Sequence, residues 1–187
     1  DRDGFVLASG IGVVVLESED SAKKRGAKIF ARVLGFDKSI DGYDTTEADP
    51  DRIADTIFQT LYNQETKSFH PVDAIFAHAT STPIGDKTEA TALRKVFGDH
   101  LSDIPIAAIK SNLGHLVGAA GAVNAIAAIF ALKEGKIPHI LNLENPDEQF
   151  AHLNLVRNRP LKRNIHTALV LAYGFGGHNA AVLFGKA

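Results

Sequence analysis

Short apolar runs rich in Val, Ile and Ala alternate along this chain with stretches whose apolar residues recur at helical spacing, and no other feature restricts the fold as much. The runs at 13–16, 29–34, 72–77, 104–109, 166–172 and 180–184 read as strands, the first of them a buried one because its β-branched residues follow glycines. Residues 18–26 read as a short helix, acidic at its start and basic before Gly26 stops it. Residues 50–62 carry Ile53, Ile57, Phe58 and Leu61 on one face of an amphipathic helix. Residues 88–97 predict another helix. Residues 118–133 predict an alanine-rich one, closed by Gly135 and so apolar around its circumference that burial is expected. The Asp, Gly, Thr and Ser of 37–49 mark a loop. The alternation predicts an α/β domain with a largely parallel sheet covered on both faces. In such sheets the ligand site lies beyond the carboxyl ends of the strands.

Composition narrows the function. A net charge of −2 argues against a nucleic-acid or anionic-membrane surface as the main business. No run of roughly 18 uncharged apolar residues occurs, so no span across a bilayer is expected. The 187 residues contain no Cys, which excludes disulfides, thiolate zinc sites and a cysteine nucleophile within them and fits a reducing compartment. Asp1-Arg2-Asp3-Gly4-Phe5 has neither an initiator Met nor the plan of a signal peptide, and reads as the middle of a longer polypeptide.

Three segments follow predicted strands, and that placement gives them chemical interest. The first is Ala77-His78-Ala79-Thr80-Ser81-Thr82-Pro83-Ile84-Gly85-Asp86, with Glu89 three residues on. A histidine at a strand end, three hydroxyls and a Pro-Ile-Gly turn can set an imidazole and several donors over one pocket, and Asp86 reads as a helix cap. A surface turn with an incidental histidine explains the same residues. The second is Lys110-Ser111-Asn112-Leu113-Gly114-His115. Its Lys and His are not neighbours on a regular helix, so a loop must converge them if they act together; a solvated loop is the alternative. The third is Tyr173-Gly174-Phe175-Gly176-Gly177-His178-Asn179, where glycines permit φ > 0 and can aim N–H groups at an oxyanion or phosphate. A tight hairpin explains it equally well. The eight histidines show no HxxxH or HExxH spacing, so no metal is expected, and His70, His100, His139, His152 and His166 read as surface or structural.

Together and in this order, the three segments resemble the β-ketoacyl-acyl carrier protein synthases, condensing enzymes of the thiolase-like superfamily. That family's patterns are His-Gly-Thr-x-Thr-Pro-x-Gly-Asp, Lys-Ser-x-x-Gly-His and Gly-Phe-Gly-Gly. Asp1-Arg2-Asp3-Gly4-Phe5-Val6, Ala22-Lys23-Lys24-Arg25-Gly26-Ala27 and Asn142-Leu143-Glu144-Asn145-Pro146-Asp147 also look like the family, so the resemblance covers essentially the whole chain, as the carboxyl-terminal half of such an enzyme. It implies an α/β, thiolase-like fold, one half of a layered α-β-α-β-α arrangement with a mixed five-stranded sheet. Residues 1–45 would end the amino-terminal half and residues 46–187 would form the carboxyl-terminal half.

The implied reaction is a decarboxylative Claisen condensation in which an acyl group held on a Cys is extended by malonyl-acyl carrier protein, in fatty acid or polyketide synthesis. By the same resemblance, His78 and His115 flank the malonyl thioester and stabilise its enolate. Lys110 pairs with Glu89 and holds His78, and Asp86 supports the segment. Thr80 and Thr82 meet the phosphopantetheine arm, and Phe175 gates the acyl pocket with Gly174 and Gly176 giving it room. No resident cofactor is implied, since phosphopantetheine arrives on the acyl carrier protein. The expected partners are that carrier, the amino-terminal half and, in a homodimer, a second copy, in the cytoplasm. Ser9, Ala79 and Ala172-Tyr173 depart from the family's Glu, Gly and Asn-Ser-like pair. The rival readings are a catalytically silent partner resembling a chain-length factor, or an acyl-carrier-binding module. Retention of both histidines and Lys110 speaks against a pure scaffold.

Overall fold

The computed structural model describes residues 2–187. The elements run α1 (Glu19–Lys24), β1 (Ala31–Ile40), α2 (Pro50–Leu61), β2 (Tyr62–Asn63), β3 (Ser68–Phe69), β4 (Ile75–Phe76), α3 (Pro83–Phe97), β5 (Ile106–Ala107) and α4 (Lys110–Leu113). They continue with α5 (Ala120–Glu134), β6 (Lys136–Ile137), β7 (Leu161–Lys162), β8 (Thr167–Gly174) and β9 (His178–Lys186). Five strands form one mixed sheet in the order β1-β9-β8-β4-β5, while β2 with β3 and β6 with β7 make two small ribbons. The pairs β8–β4 and β4–β5 are parallel, whereas β1–β9 and β9–β8 are antiparallel. The sheet is therefore not largely parallel: the glycine-rich run closes a hairpin and sends β9 back beside β8. A division at residue 45 would separate β1 from the sheet to which it is hydrogen-bonded along its length, for the sheet begins at Ala31.

Period-two alternation sorts the side chains into two cores. Leu169 and Leu171 of β8, Ile75, Ile106 and Leu183 pack with Ile53, Ile57 and Leu61 of α2 and Leu93 of α3. Ala168 and Val170, Phe76, Ala107 and Phe184 pack on the opposite face with Ala128, Ala131 and Leu132 of α5. The result is three layers, with α2 and α3 over one face and α5 over the other. Capping fixes where α2 starts: the Asp49 carboxylate accepts the Asp51 N–H at 2.9 Å, with Pro50 in the first turn. Gly35 marks a bulge in β1 where a Cβ would run into the Thr60 carbonyl, so the missing side chain lets strand and helix approach.

Several expectations change. The strands expected at 72–77 and 104–109 keep only two ladder residues each, because other acceptors take the neighbouring N–H groups. Asp73 accepts from His166 and Thr167 across the sheet, and past Ala77 the N–H groups turn to a side chain described below. The strand expected at 29–34 instead spans Ala31–Ile40, taking residues 37–40 from the expected loop.

The run 13–16 is neither strand nor buried: Val13 is 76% exposed and Val15 83%. Helix α5 is apolar all round, yet covered on one face only, along Ala120, Asn124, Ala128, Ala131 and Leu132. The stretch Val117–Glu134 is long and apolar enough to cross a membrane by length and composition, although Asn124, Lys133 and Glu134 interrupt it. Just before the run, at Gly12, the chain passes close to Ala122 and Val123 of α5, and Val13, Val15 and Leu16 beyond it leave apolar surface exposed.

Val13 and Val15 are largely exposed, so Val13→Asp with Val15→Asp should unfold within about 0.5 kcal/mol of wild type in dilute urea titrations. A loss of several kcal/mol would show that the segment is packed in the isolated chain.

Candidate active site

The site grows from the carboxyl end of β4. Glu89 of α3 is only 4% exposed, and its two carboxylate oxygens accept the N–H groups of His78 and Ala79, each at 2.8 Å. Those bonds end the strand and turn the chain. Ala79, at φ 32°, and Ser81, at φ 62°, both lie in the left-handed region, so the Ala79 methyl sits on strained backbone. Thr82, not Asp86, caps α3: its hydroxyl accepts the Gly85 N–H at 3.2 Å and Pro83 opens the first turn, five residues before the predicted start at 88. The Thr-Pro pair was the signal for that start. Asp86 instead accepts the Ser81 N–H at 3.0 Å and meets the Arg2 guanidinium at 3.2 Å.

Lys110 opens α4 and donates from Nζ to the His78 carbonyl, with His78 Nδ1 at 3.4 Å. Among the described residues no ion pair joins it to Glu89, contrary to the expected contact. Both Glu89 oxygens are already occupied by backbone, so the two residues grip His78 from opposite sides, one on its N–H and one on its C=O. Their charges still interact. Burial lowers Lys110 from 10.5 to about 8 against the pull of Glu89 and Asp86, and burial raises Glu89 from 4.5 to about 7.

The histidines form the chemical centre. After Gly114 the chain runs beside residues 6–8: the His115 N–H donates to the Val6 carbonyl at 2.7 Å, and its carbonyl accepts the Ala8 N–H at 3.0 Å. His115 Nδ1 accepts the Val117 N–H at 3.1 Å, and His78 Nδ1 accepts the Tyr173 N–H at 3.2 Å. A neutral imidazole that accepts at Nδ1 carries its proton on Nε2. The two rings lie 5.7 Å apart at 85°. Burial, then Lys110 and His115, lowers His78 from 6.5 to about 3; burial and then Lys110 lowers His115 too. The arrangement offers two neutral Nε2–H donors.

The other residues fall around this centre. The Thr80 and Thr82 hydroxyls are 3.1 Å apart. Phe175 stands 73% exposed at the tip of the β8–β9 hairpin, between Gly174 and Gly176. That hairpin is held by the loop before α2. Asp41 donates its N–H to the Gly177 carbonyl at 3.0 Å, and the Gly176 N–H is taken by the Thr45 carbonyl at 2.9 Å. Gly177, at φ 75°, has no room for a Cβ beside the Asp41 carboxylate. Among the described residues no three His, Cys, Asp or Glu side chains cluster as metal ligands.

Three participants escaped the sequence reading. Tyr173 lies with its ring 5.2 Å from that of His78 and its phenol buried near Glu89. Arg2 ties Asp86 to Asp147 at 3.0 Å and stacks on Phe150. Asn124 bonds the backbone beneath His78. Only the last had a visible signal, as a lone amide in an apolar helix. A cavity of about 690 Å³ opens on the far side of Glu89 and Lys110, walled by Arg2, Phe5 and Phe150; neither His78 nor His115 lines it.

Comparison with known proteins gives a consistent picture. The family described as beta-ketoacyl synthase, C-terminal domain, matches residues 30–144. The mitochondrial 3-oxoacyl-[acyl-carrier-protein] synthase of Arabidopsis thaliana is 41% identical, over 98% of this chain and 41% of its own length. The 3-oxoacyl-[acyl-carrier-protein] synthase 2 of Coxiella burnetii is 39% identical, over 99% of this chain and 45% of its own. Among solved structures, the ishigamide ketosynthase/chain length factor superposes with a TM-score of 0.92 at 36% identity, over 100% of this chain and 45% of that one. A type II PKS acyl-carrier protein in complex with its ketosynthase bound to the hexaketide gives 0.92 at 32% identity, over 100% and 46%. The chain spans less than half the length of each of these four relatives.

Glu89 makes a pH prediction. Its carboxyl is raised from 4.5 to about 7 in the fold, so the native state keeps a proton that the unfolded chain releases first. Its contribution is therefore present below about 4.5 and lost as pH rises through about 7. Glu89→Gln lacks that slope. The stability difference between wild type and Glu89→Gln should shift against wild type over this interval, read from urea midpoints; a difference independent of pH would contradict the assignment.

Proposed function

We propose that this chain, which belongs to the β-ketoacyl synthase family and corresponds to its carboxyl-terminal domain, provides the decarboxylating site of a 3-oxoacyl-[acyl-carrier-protein] synthase. The observation that carries this reading is the matched pair of imidazoles, each with Nδ1 occupied by a backbone N–H and Nε2–H left to donate. When the malonyl thioester loses carbon dioxide, the bond between its carboxylate and α-carbon breaks and the electron pair moves into an enolate. Negative charge grows on the thioester oxygen. Two neutral N–H donors preorganised for that oxygen stabilise the transition state more than the substrate. The α-carbon then attacks an acyl thioester, expelling the thiolate and leaving a 3-oxoacyl group on the carrier.

In this reading His78 and His115 are the catalytic residues, and Lys110 and Glu89 position His78 through its own carbonyl and N–H. Asp86 steadies the turn at Ser81, Thr80 and Thr82 meet the phosphopantetheine arm, and Phe175 closes over the acyl group between Gly174 and Gly176. The acyl group needs a thiol, and this chain has no Cys, so the nucleophile comes from an amino-terminal half. The exposed run 5–16 and the open face of α5 are where such a half would lie, with acyl carrier protein and a second copy as further partners.

Reconstituted with that half, His78→Ala or His115→Ala should slow malonyl decarboxylation by about 10²-fold or more. A rate near wild type in either variant would remove that histidine from the mechanism. Incubated alone with radiolabelled acyl-acyl carrier protein, residues 1–187 should take up no covalent label and extend no chain. Labelling of the isolated chain would sink the proposal that its thiol lies elsewhere.

A further inference from the structure

Asn124 is the one polar residue along the covered face of α5, and it is 3% exposed. Its Nδ2 lies 3.1 Å from the Phe76 carbonyl, 3.2 Å from that of Ala77 and 3.4 Å from that of Leu171. Three acceptors around one group fix the amide's orientation, since the reverse would set four oxygens against one another. Its Oδ1 is buried without a partner. A buried amide left half satisfied is costly, so the bonds on its other end must matter to the fold or the site.

Where those bonds fall is informative. The last ladder pair between β4 and β8 is Phe76 with Val170. Beyond it the two chains lead to His78 on one side and to Tyr173 on the other, and the Tyr173 N–H must reach His78 Nδ1 at 3.2 Å. Asn124 grips both chains in that gap, at Phe76 and Ala77 on β4's side and at Leu171 on β8's. We propose that Asn124 is a positioning residue that sets the tautomer of His78, by holding the ends of β4 and β8 at the spacing the Tyr173 N–H···Nδ1 bond requires. Without a donor among them, the three carbonyls repel and the strand ends spread. The imidazole then loses the nearer of the two donors on Nδ1, leaving only the Lys110 ammonium at 3.4 Å, which already donates to the His78 carbonyl. His78 would populate both tautomers, and the fraction carrying a proton on Nε2 would fall.

The rate consequence rests on the function proposed above, but the tautomer itself does not, so it is read directly from the imidazole nitrogen signals of ¹⁵N-histidine-labelled protein reconstituted with its amino-terminal half. Wild type should show His78 as a single Nε2–H species. Asn124→Leu, similar in size but with no donor, should show both tautomers and a decarboxylation rate lower by about tenfold to a hundredfold. A folded Asn124→Leu protein whose His78 remains wholly Nε2-protonated overturns the proposal whatever its activity. A mixed spectrum with an unchanged rate keeps the tautomer assignment and counts instead against His78 as an oxyanion donor.

Should Asn124→Leu not fold, Asn124→Asp supplies the same readout. It is compared with wild type at low and high pH in a buffer whose cation is tetramethylammonium, since a carboxylate among three carbonyls would otherwise hold a small cation. Neutral at low pH, its carboxyl donates and the wild-type spectrum should return; charged at high pH, it repels the carbonyls and the spectrum should split. His78, lowered to about 3, stays neutral throughout the comparison. A wild-type spectrum for Asn124→Asp at high pH overturns the proposal.

Discussion

The carboxylate of Glu89 decides the local structure on which the rest depends. It lies buried at the end of a two-residue strand, and it takes the two N–H groups that would otherwise continue that strand. The two N–H groups favour the carboxylate form of Glu89, while burial raises the cost of its charge and is the larger effect. With the N–H groups of His78 and Ala79 held, the carbonyl of His78 faces the other way and receives Lys110. Acid and base act through the backbone of the histidine between them, and a direct ion pair would have left that backbone unheld. The strain at Ala79 is maintained by the same grip, and that at Ser81 by Asp86 on its N–H and Gly4 on its carbonyl.

A sheet with one face closed and the other half-closed gives the chain its character. The layer of α2 and α3 buries large side chains such as Ile53, Ile57 and Leu93, and looks like the core of an independent domain. Under α5 the core is thinner and alanine-rich, and on its outer side Phe130 is exposed while the chain around Gly12 passes close to Ala122 and Val123. Small residues on both sides of a helix suit a layer sandwiched between two sheets. The histidine site sits at the edge of this open layer, bordered by residues 5–8, which approach His115 from the exposed side.

Helices α1, α2 and α5 were legible from sequence because their signals are local: the acidic start and basic end of α1, the apolar spacing of α2, and Gly135 behind α5 are written within a few residues. The strands at 72–77 and 104–109 were legible in position but not in length, because the groups that take the flanking N–H groups, Glu89 at His78 and Ala79 and the Leu101 carbonyl at Ile104, lie outside the runs themselves. The glycine-rich run was open between a tight hairpin and an anion-binding loop, and the hairpin is what forms; the expectation of a largely parallel sheet failed because a fully buried strand has the same composition in either arrangement. The run 13–16 was read as buried from its β-branched residues, which report a wish for cover rather than its presence.

The sequence by itself determined the residue types and their order: a histidine after a strand, a lysine and a second histidine after another, a glycine hairpin after a third, and no thiol anywhere. Those follow from local pattern and composition, which need no partner to be read. Tertiary structure alone decided that Lys110 and Glu89 meet at His78 and not at each other, that both imidazoles accept at Nδ1, and that Tyr173 and Asn124 stand behind one of them. Each of these is a hydrogen bond between residues brought together by strand order. A carbonyl or an N–H carries no mark in the sequence of the partner it will find.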